Sequence, residues 1–494
     1  MLTQGDFINI EKQASALYEN LELEIIEEIA TRIARVGYAN TVVLNDIRIA
    51  QEMGVLYQDI ITLVAKYNNT SYEKVAEIFE EAGAKTLSRD DFIYKEAGLN
   101  PVPIRQSRPI MQTMSATIEK TTGNLQNLVM TTANVAQTQF YNAMNMSYLE
   151  VSTGVKSYSQ SIIDAIDAIS SQGAVITYPS GRRMSLESAV RMNIITGVNQ
   201  TCGKLQELRA DEVGWDLMEL TAHSGARPSH MSWQGKIVSR SGKKGYLSLD
   251  DIGYGTATGF KGVNCRHDWY PYYKGSARTY TQEQLNAWKN EKVTYNGEEY
   301  SKYDATQLQR TMERRIRADK KELAGLQGIL TSTKDNKLIE DTRTEFGRRS
   351  LIYKTHQNEL DDFIEQTSFV KDNTRLYVGK QNRSISTQVA NVTKIANKYN
   401  KSDIVGSKVN GIKITEIGEH IISRTYARNV TFEDVQDTLK NPIKYGKIRK
   451  DKSQQIKGKN CTIAINTETG KLITVFPKKT KKDWYHEGLC NNWK

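Results

Sequence analysis

Over the first 172 residues, apolar positions recur at three- and four-residue steps, the spacing that places side chains on one helical face. In residues 20–37, Leu21, Ile25, Ile29, Ile33 and Val36 follow that step, and Gly37 is a suitable stop. Residues 70–83 open with Thr70, carry Glu73 three positions on in a capping-box pattern, and end at Gly83, which predicts a separate short helix. Residues 97–109 hold three of the chain's eight prolines and read as a hinge. From about 174 the pattern changes to a short strand, a turn at Pro179-Ser180-Gly181, a helix, and then apolar–polar alternation. Seven glycines in residues 234–262 predict long loops. The run "GYGTATG" within them misses the GxGxxG spacing, and no GxxxxGK[ST] occurs, which excludes a nucleotide cradle of either type.

Residues 276–400 are charged and helical without a wide apolar face, which predicts an arm or connector, or a helix packed on other subunits. The tail predicts a helix over about 414–428 and a second one capped by Thr431 with Asp434 three on, terminated at Asn441-Pro442. A hairpin follows, with Cys461, Ile463 and Ile465 alternating, a turn at Thr467–Gly470, and a second strand through Pro477. The expected fold class is mainly α over the N-terminal two-thirds with a loop-rich α+β segment, then a small α+β C-terminal domain of helices followed by antiparallel sheet. The expected divisions are a helical region 1–172, an α+β segment 173–275, a charged connector 276–400 and a basic unit 401–494. No internal repeat is evident.

Length and composition add three constraints. At 494 residues the chain is too long for one ordinary core, so about three domains are expected. No apolar run is long enough to span a membrane, and the start lacks a secretory pattern, which predicts a chain made and kept in a bacterial cytoplasm. The cysteines Cys202, Cys265, Cys461 and Cys490 form no CxxC pair, which argues against a disulfide scaffold. Charge is uneven: residues 401–494 carry 19 Lys and Arg against 10 Asp and Glu, a net of +9 out of +10 for the whole chain. A basic unit on a neutral body suggests a polyanion partner for that unit alone.

Two stretches concentrate chemistry-bearing residues. His223, His230, Cys265 and His267 supply three imidazoles and one thiol within 45 residues, a donor set suited to structural zinc. The spacing is no standard finger pattern, so a Cys–His nucleophile pair and plain polar packing stay open beside zinc. The blocks "YPSGRRMSLESAVRMNIITGVNQT", "ELTAHSGARPSHMSWQGK" and "GVNCRH" with "PYYKG" resemble the phage minor capsid protein 2 family, in the wider Mu F-like head morphogenesis group, over roughly residues 1–370. The resemblance implies a virion component near the portal, present in few copies, bound to portal and capsid proteins and co-delivered with the genome. The N-terminal helices would face portal or capsid. His223, Arg227, His230, Asn264, Cys265 and His267 match the family's polar blocks.

In the tail, His420, Arg424 and Arg428 stand four residues apart on one helical stripe, with Ile417 and Ile421 opposite for packing on the hairpin. A histidine titrating near neutrality beside two permanent cations suits phosphodiester cleavage without a metal, because RNA supplies its own 2′-hydroxyl nucleophile. Lys444, Lys447, Arg449 and Lys450 would extend a basic surface along a nucleic-acid backbone. The stretch "HIISRTYARNVTFEDVQDTLKNP" with "TIAINTETGKLITVFP" resembles the polymorphic-toxin type 50 domains of the barnase, EndoU, colicin and RelE-like nuclease group, over about 411–480. That resemblance implies metal-independent RNA cleavage, with tRNA among the candidate substrates, with His420, Arg424, Arg428 and Thr474 at the matching positions, and with an immunity protein as partner. Two departures bear on substrate binding: a lysine-rich strand enters the hairpin, and lysines precede Thr480. The combined expectation is a minor capsid protein carried in the phage head, with a ribonuclease tail delivered into the host cytoplasm. In it His420 is the general acid or base, the arginines hold phosphate, and Thr474 orients it. The rivals are a structural tail that binds packaged DNA or the portal, and a zinc enzyme centred on the histidines.

Overall fold

The computed structural model describes residues 1–478 apart from 19, 38–41, 179–180 and 380–382. Pro179 and Ser180 of the expected turn, Thr480 and Cys490 therefore lie outside the described residues. The order begins α1 (Gln4–Ala16), α2 (Leu21–Val36), α3 (Val42–Glu96), α4 (Arg108–Ser152) and α5 (Tyr158–Gln172). A short hairpin of β1 (Val175–Thr177) and β2 (Arg183–Ser185) leads into α6 (Leu186–Glu212). Then come β3 (Leu217–Leu220), β4 (Ile237–Ser239) and β5 (Trp269–Pro271), which pair antiparallel in the order β4-β3-β5. The helix α7 (Gln282–Asn290) and the hairpin of β6 (Lys292–Tyr295) with β7 (Glu298–Ser301) precede α8 (Lys302–Ser332), α9 (Asn336–Thr367) and α10 (Arg383–Asn400).

The α2 stripe is core as its spacing predicts: Leu21, Ile25, Ile29, Ile33 and Val36 are all buried, and Gly37 ends the helix with φ +68°. The separate helix expected at 70–83 does not exist, because α3 runs unbroken through both of its supposed ends. Thr70 spends its hydroxyl inside the helix, donating to the Tyr67 carbonyl at 3.1 Å. Gly83 stops nothing; its missing side chain leaves room for Met114 of α4 and Leu205 of α6. The proline-rich 97–109 segment forms the connector from α3 to α4, with a single 3-10 turn at Ile104–Gln106.

Of residues 276–400, expected as an arm or connector or as a helix packed on other subunits, α8 and α9 are built into the main body, α7 buries no residue, and α10 divides its buried residues between the body's core and the tail's. Ala305, Met312, Ile316, Leu323, Leu326 and Ile329 of α8 join the same core as α2, α5 and α6. The charges that narrow its apolar face are matched inside: Lys321 pairs with Glu22 of α2 at 2.7 Å and Arg317 with Glu187 of α6 at 3.1 Å. Gly328 lets α8 approach α2 until an added methyl would press on Ala30 and the Glu27 carbonyl. Beneath β3-β4-β5 a smaller core gathers Met218, Leu220, Trp233, Val238, Phe260 and Trp269.

The tail has its own core, including Ile404, Ile414, Ile421, Ile456, Ile463, Leu472 and Val475. Its elements are β8 (Lys408–Val409), β9 (Ile412–Lys413), β10 (Glu416–Ile417), α11 (Glu419–Ala427), α12 (Phe432–Lys440), β11 (Lys444–Tyr445), β12 (Ser453–Lys457), β13 (Cys461–Asn466) and β14 (Lys471–Pro477). The α12 capping box at Thr431 and Asp434 and the β13–β14 hairpin form as expected. The first helix is shorter than expected, since Gly418 caps it and residues before it enter strands. The sheet runs β10-β14-β13-β12-β11 and is antiparallel except where β10 pairs parallel with β14. Helix α11 also packs on α9, where Gly347 faces the Ser423 backbone and Phe346 stacks on Tyr426 with ring centroids 6.3 Å apart. Among the described residues no helix is long and apolar enough to cross a membrane, and Cys202, Cys265 and Cys461 are free and buried.

Candidate functional site

Two loops bring the histidines together. His230 ends a 3-10 turn (Pro228–His230) between β3 and β4, while Cys265 and His267 lie in the loop entering β5. That second loop is tight: Lys261 and Asn264 take φ of 59° and 55°, and Gly262 faces the Thr256 and Ala257 backbone so closely that a side chain has no room. Asn199 of α6 pins it, donating to the Cys265 carbonyl at 2.7 Å and accepting from Lys261 Nζ at 2.8 Å.

The ring nitrogens are oriented by their partners. His230 Nε2 lies 2.8 Å from the Thr258 carbonyl, which can only accept, so Nε2 carries the proton. Gln234 Oε1 already accepts the His223 backbone N–H at 3.2 Å, which identifies it as oxygen; His267 Nε2, 3.1 Å away, therefore donates to it. Both Nδ1 atoms are left as bare lone pairs 3.3 Å apart, with Cys265 Sγ 3.8 Å from His267 Nδ1. Burial holds both rings neutral, lowering His230 to about 4 and His267 well below its ordinary value, with neighbouring cations and rings adding to it.

His223 is the one expected ligand that does not converge. Its ring stacks on His267 at 4.5 Å between centroids, and its Nδ1 lies 2.9 Å from the Ser224 carbonyl. Only His230, Cys265 and His267 bring their ligand atoms within 4.8 Å of one another among the described residues. Burial also raises the Cys265 thiol pKa, a shift opposite in direction to that of an activated nucleophile.

This cluster opens on a cavity of about 580 Å³ whose walls carry Arg191, Arg266, Arg310, Arg317 and Arg375. Sequence reasoning missed these cations, which come from α6, the β5 loop, α8 and the segment after α9. The buried Glu11 carboxylate gathers Arg191, Arg266 and Arg375. Arg310 has no hydrogen bond or ion pair among the described residues, and burial with Arg375 and Arg266 nearby lowers its pKa to about 10. A larger groove, about 1040 Å³, runs between α9, α10 and α12 and is lined by Lys354, Lys394, Lys398 and Lys401.

In the tail, α11 and β14 bring Arg424, Arg428 and Thr474 onto one face. Both arginines are already engaged: Arg424 Nη1 and Arg428 Nε donate to the same buried Glu340 oxygen of α9, at 2.8 and 2.9 Å. Arg428 also donates to the Val475 carbonyl at 2.5 Å, reaches Thr474 Oγ1 at 3.4 Å and lies 4.2 Å above the Phe476 ring. His420 is exposed, its pKa lowered by partial burial and by the two arginines. Lys444, Lys447, Arg449 and Lys450 are exposed too, but in and after β11, at the opposite edge of the sheet from β10 and three strands from β14. Glu340 carries no local signal; it lies in a charged helix some eighty residues upstream of the arginines it binds.

The family match covers most of the body and stops before the tail. Residues 2–365 match the family described as Phage minor capsid protein 2. A protein named "Structural protein" from Lactococcus phage LL-H is 28% identical over 281 residues, which span 54% of this chain and 73% of that one. No solved structure matches the chain. With most of the helical body, the β3-β4-β5 segment and its histidine loops inside the matched span, the chain belongs to the phage minor capsid protein 2 family.

Proposed function

We propose that this minor capsid protein is a structural component of the phage head whose tail is locked to its body and holds nucleic acid without cutting it. The observation that carries this reading is Glu340. It accepts one N–H from each of Arg424 and Arg428, sets a carboxylate where a scissile phosphate would sit, and turns the tail's arginine pair into a dock on α9. The exposed lysine edge at β11 is then the surface for packaged DNA. Portal and capsid proteins are the partners, and exposed Val42, Ile47 and Val55 of α3 with Met146, Leu149 and Val155 around the end of α4 offer them apolar contact.

A second reading, the metal-independent ribonuclease, is favoured by one observation: His420 stays exposed beside an arginine in reach of Thr474. It requires Glu340 to leave, in the particle or after delivery into a host, and an immunity protein to guard the producing cell. The full-length protein, Glu340→Gln and His420→Ala are incubated with total RNA and tRNA, with and without EDTA. Intact RNA in every case, with DNA binding that weakens steeply with salt and on reversing Lys444, Lys447, Arg449 and Lys450 to Glu, supports the structural reading. EDTA-resistant cleavage that appears in Glu340→Gln and vanishes when His420→Ala is added overturns it in favour of the nuclease.

A further inference from the structure

We infer that His230, Cys265 and His267 bind a zinc-class divalent ion through three protein ligands, with the fourth coordination position open to the arginine-lined cavity, where a phosphate-class oxyanion completes it. This goes beyond the proposed function and does not rest on it.

The metal follows from the ring orientations. Two imidazoles, each with its far nitrogen on a fixed acceptor, turn their Nδ1 atoms toward each other at 3.3 Å, with a sulfur 3.8 Å from one of them. Left alone, the arrangement gives two ring acceptors only the weak S–H donor of Cys265, which reaches one of them. Ligand atoms in a tetrahedral zinc site with Zn–N of about 2.0–2.1 Å and Zn–S of about 2.3 Å are separated by about that much. Each imidazole also donates its far N–H to a fixed acceptor, the Thr258 carbonyl or Gln234 Oε1, the outer-shell bond that metal-bound histidines make. Metal binding takes Cys265 as thiolate, its proton passing to solvent, and one cation then compensates three buried groups.

The open position follows from His223. It stacks beside His267 without bringing a nitrogen into the set, so the protein supplies three ligands where a closed structural site supplies four. The cavity reached by the three ligands is also lined by Arg310, a half-buried cation with no hydrogen bond or ion pair among the described residues, next to arginines held by Glu11. A dianion bound to the metal would neutralise Arg310 and satisfy its forked donors.

The test is cobalt substitution in the full-length protein. Expected are uptake of about one ion per chain, tetrahedral d–d bands and a thiolate-to-cobalt charge-transfer band. Cys265→Ser should abolish the charge-transfer band and His267→Gln should prevent uptake, while His223→Gln leaves both intact. Because a variant can fail to fold, the positive spectrum of the unmutated chain is the primary readout. Inorganic phosphate and a short oligonucleotide are added separately: d–d bands that shift with phosphate alone mean a small anion, and bands that shift at lower concentration with the oligonucleotide mean a nucleic-acid phosphate. Arg310→Met should weaken whichever response is seen about tenfold without changing uptake. No uptake by the unmutated chain refutes the metal. Uptake lost in His223→Gln, or bands indifferent to both anions, refutes the open position.

Discussion

Replacing Glu340 by Gln tests the dock between tail and body. The carboxylate is 3% exposed and serves two arginines that are 16% and 9% exposed, so its loss leaves two largely buried cations short of an anion. Removing one partner of a buried pair costs about 3–5 kcal/mol. Three features reduce that here: glutamine keeps the shape and one acceptor, Arg428 retains the Val475 carbonyl and the Phe476 ring, and Asp341 lies 3.7 Å from Arg424. The expected cost is about 2 kcal/mol, felt where α11 meets α9. A chain with separate cores should not unfold in one step, so hydrogen exchange on α11 peptides is the suitable assay. A loss of 2 kcal/mol appears there as exchange about thirty times faster, with α2 and α8 peptides unchanged. Exchange in α11 within about twofold of the unmutated chain would refute the reasoning, and would mean that Phe346, Tyr426 and the Gly347 crossing hold the tail without the ion triad.

Two glycines should behave differently. Gly328→Ala forces α8 away from Ala30 and the Glu27 backbone and should lower the melting temperature, at a cost of about 1–3 kcal/mol. Gly83→Ala meets chiefly the flexible end of Met114, and the helix propensity gained should hold its net effect within about 1 kcal/mol. Asn199→Ala leaves the Cys265 carbonyl and Lys261 Nζ each short of a buried partner and should destabilise the chain by about 2–4 kcal/mol in chemical unfolding. Asp90 is fully buried, and desolvation raises its pKa from 3.8 to about 7. The folded chain thus binds this proton more tightly than the unfolded one, so the group's stabilisation is complete below about pH 4 and is lost as pH rises through 7. Asp90→Asn keeps an acceptor for Gln206 and should match the unmutated chain near pH 4 but melt higher above pH 7, with a ceiling of about 4 kcal/mol; equal melting curves at both pH values would refute this.

What the sequence determined by itself was local. The α2 stripe, the α12 capping box, the β13–β14 hairpin and the glycine-rich loops follow from side-chain periodicity and backbone chemistry within a few residues, and they form where those signals stand. Even the four chemistry-bearing residues of the histidine loops could be picked out as a set. Which of them converge was decided by the turn at Pro228, the positive φ values at Lys261 and Asn264, and Asn199 on a distant helix; together they exclude His223. Tertiary packing likewise overrode two local signals, carrying α3 through Thr70 and Gly83 and burying α8 despite its charges. In each case the deciding partner is remote in sequence: Leu205 beside Gly83, Glu22 for Lys321, Glu340 for Arg424 and Arg428. A charged position reads as solvent-facing until its counter-charge is known, and counter-charges meet only when the chain folds.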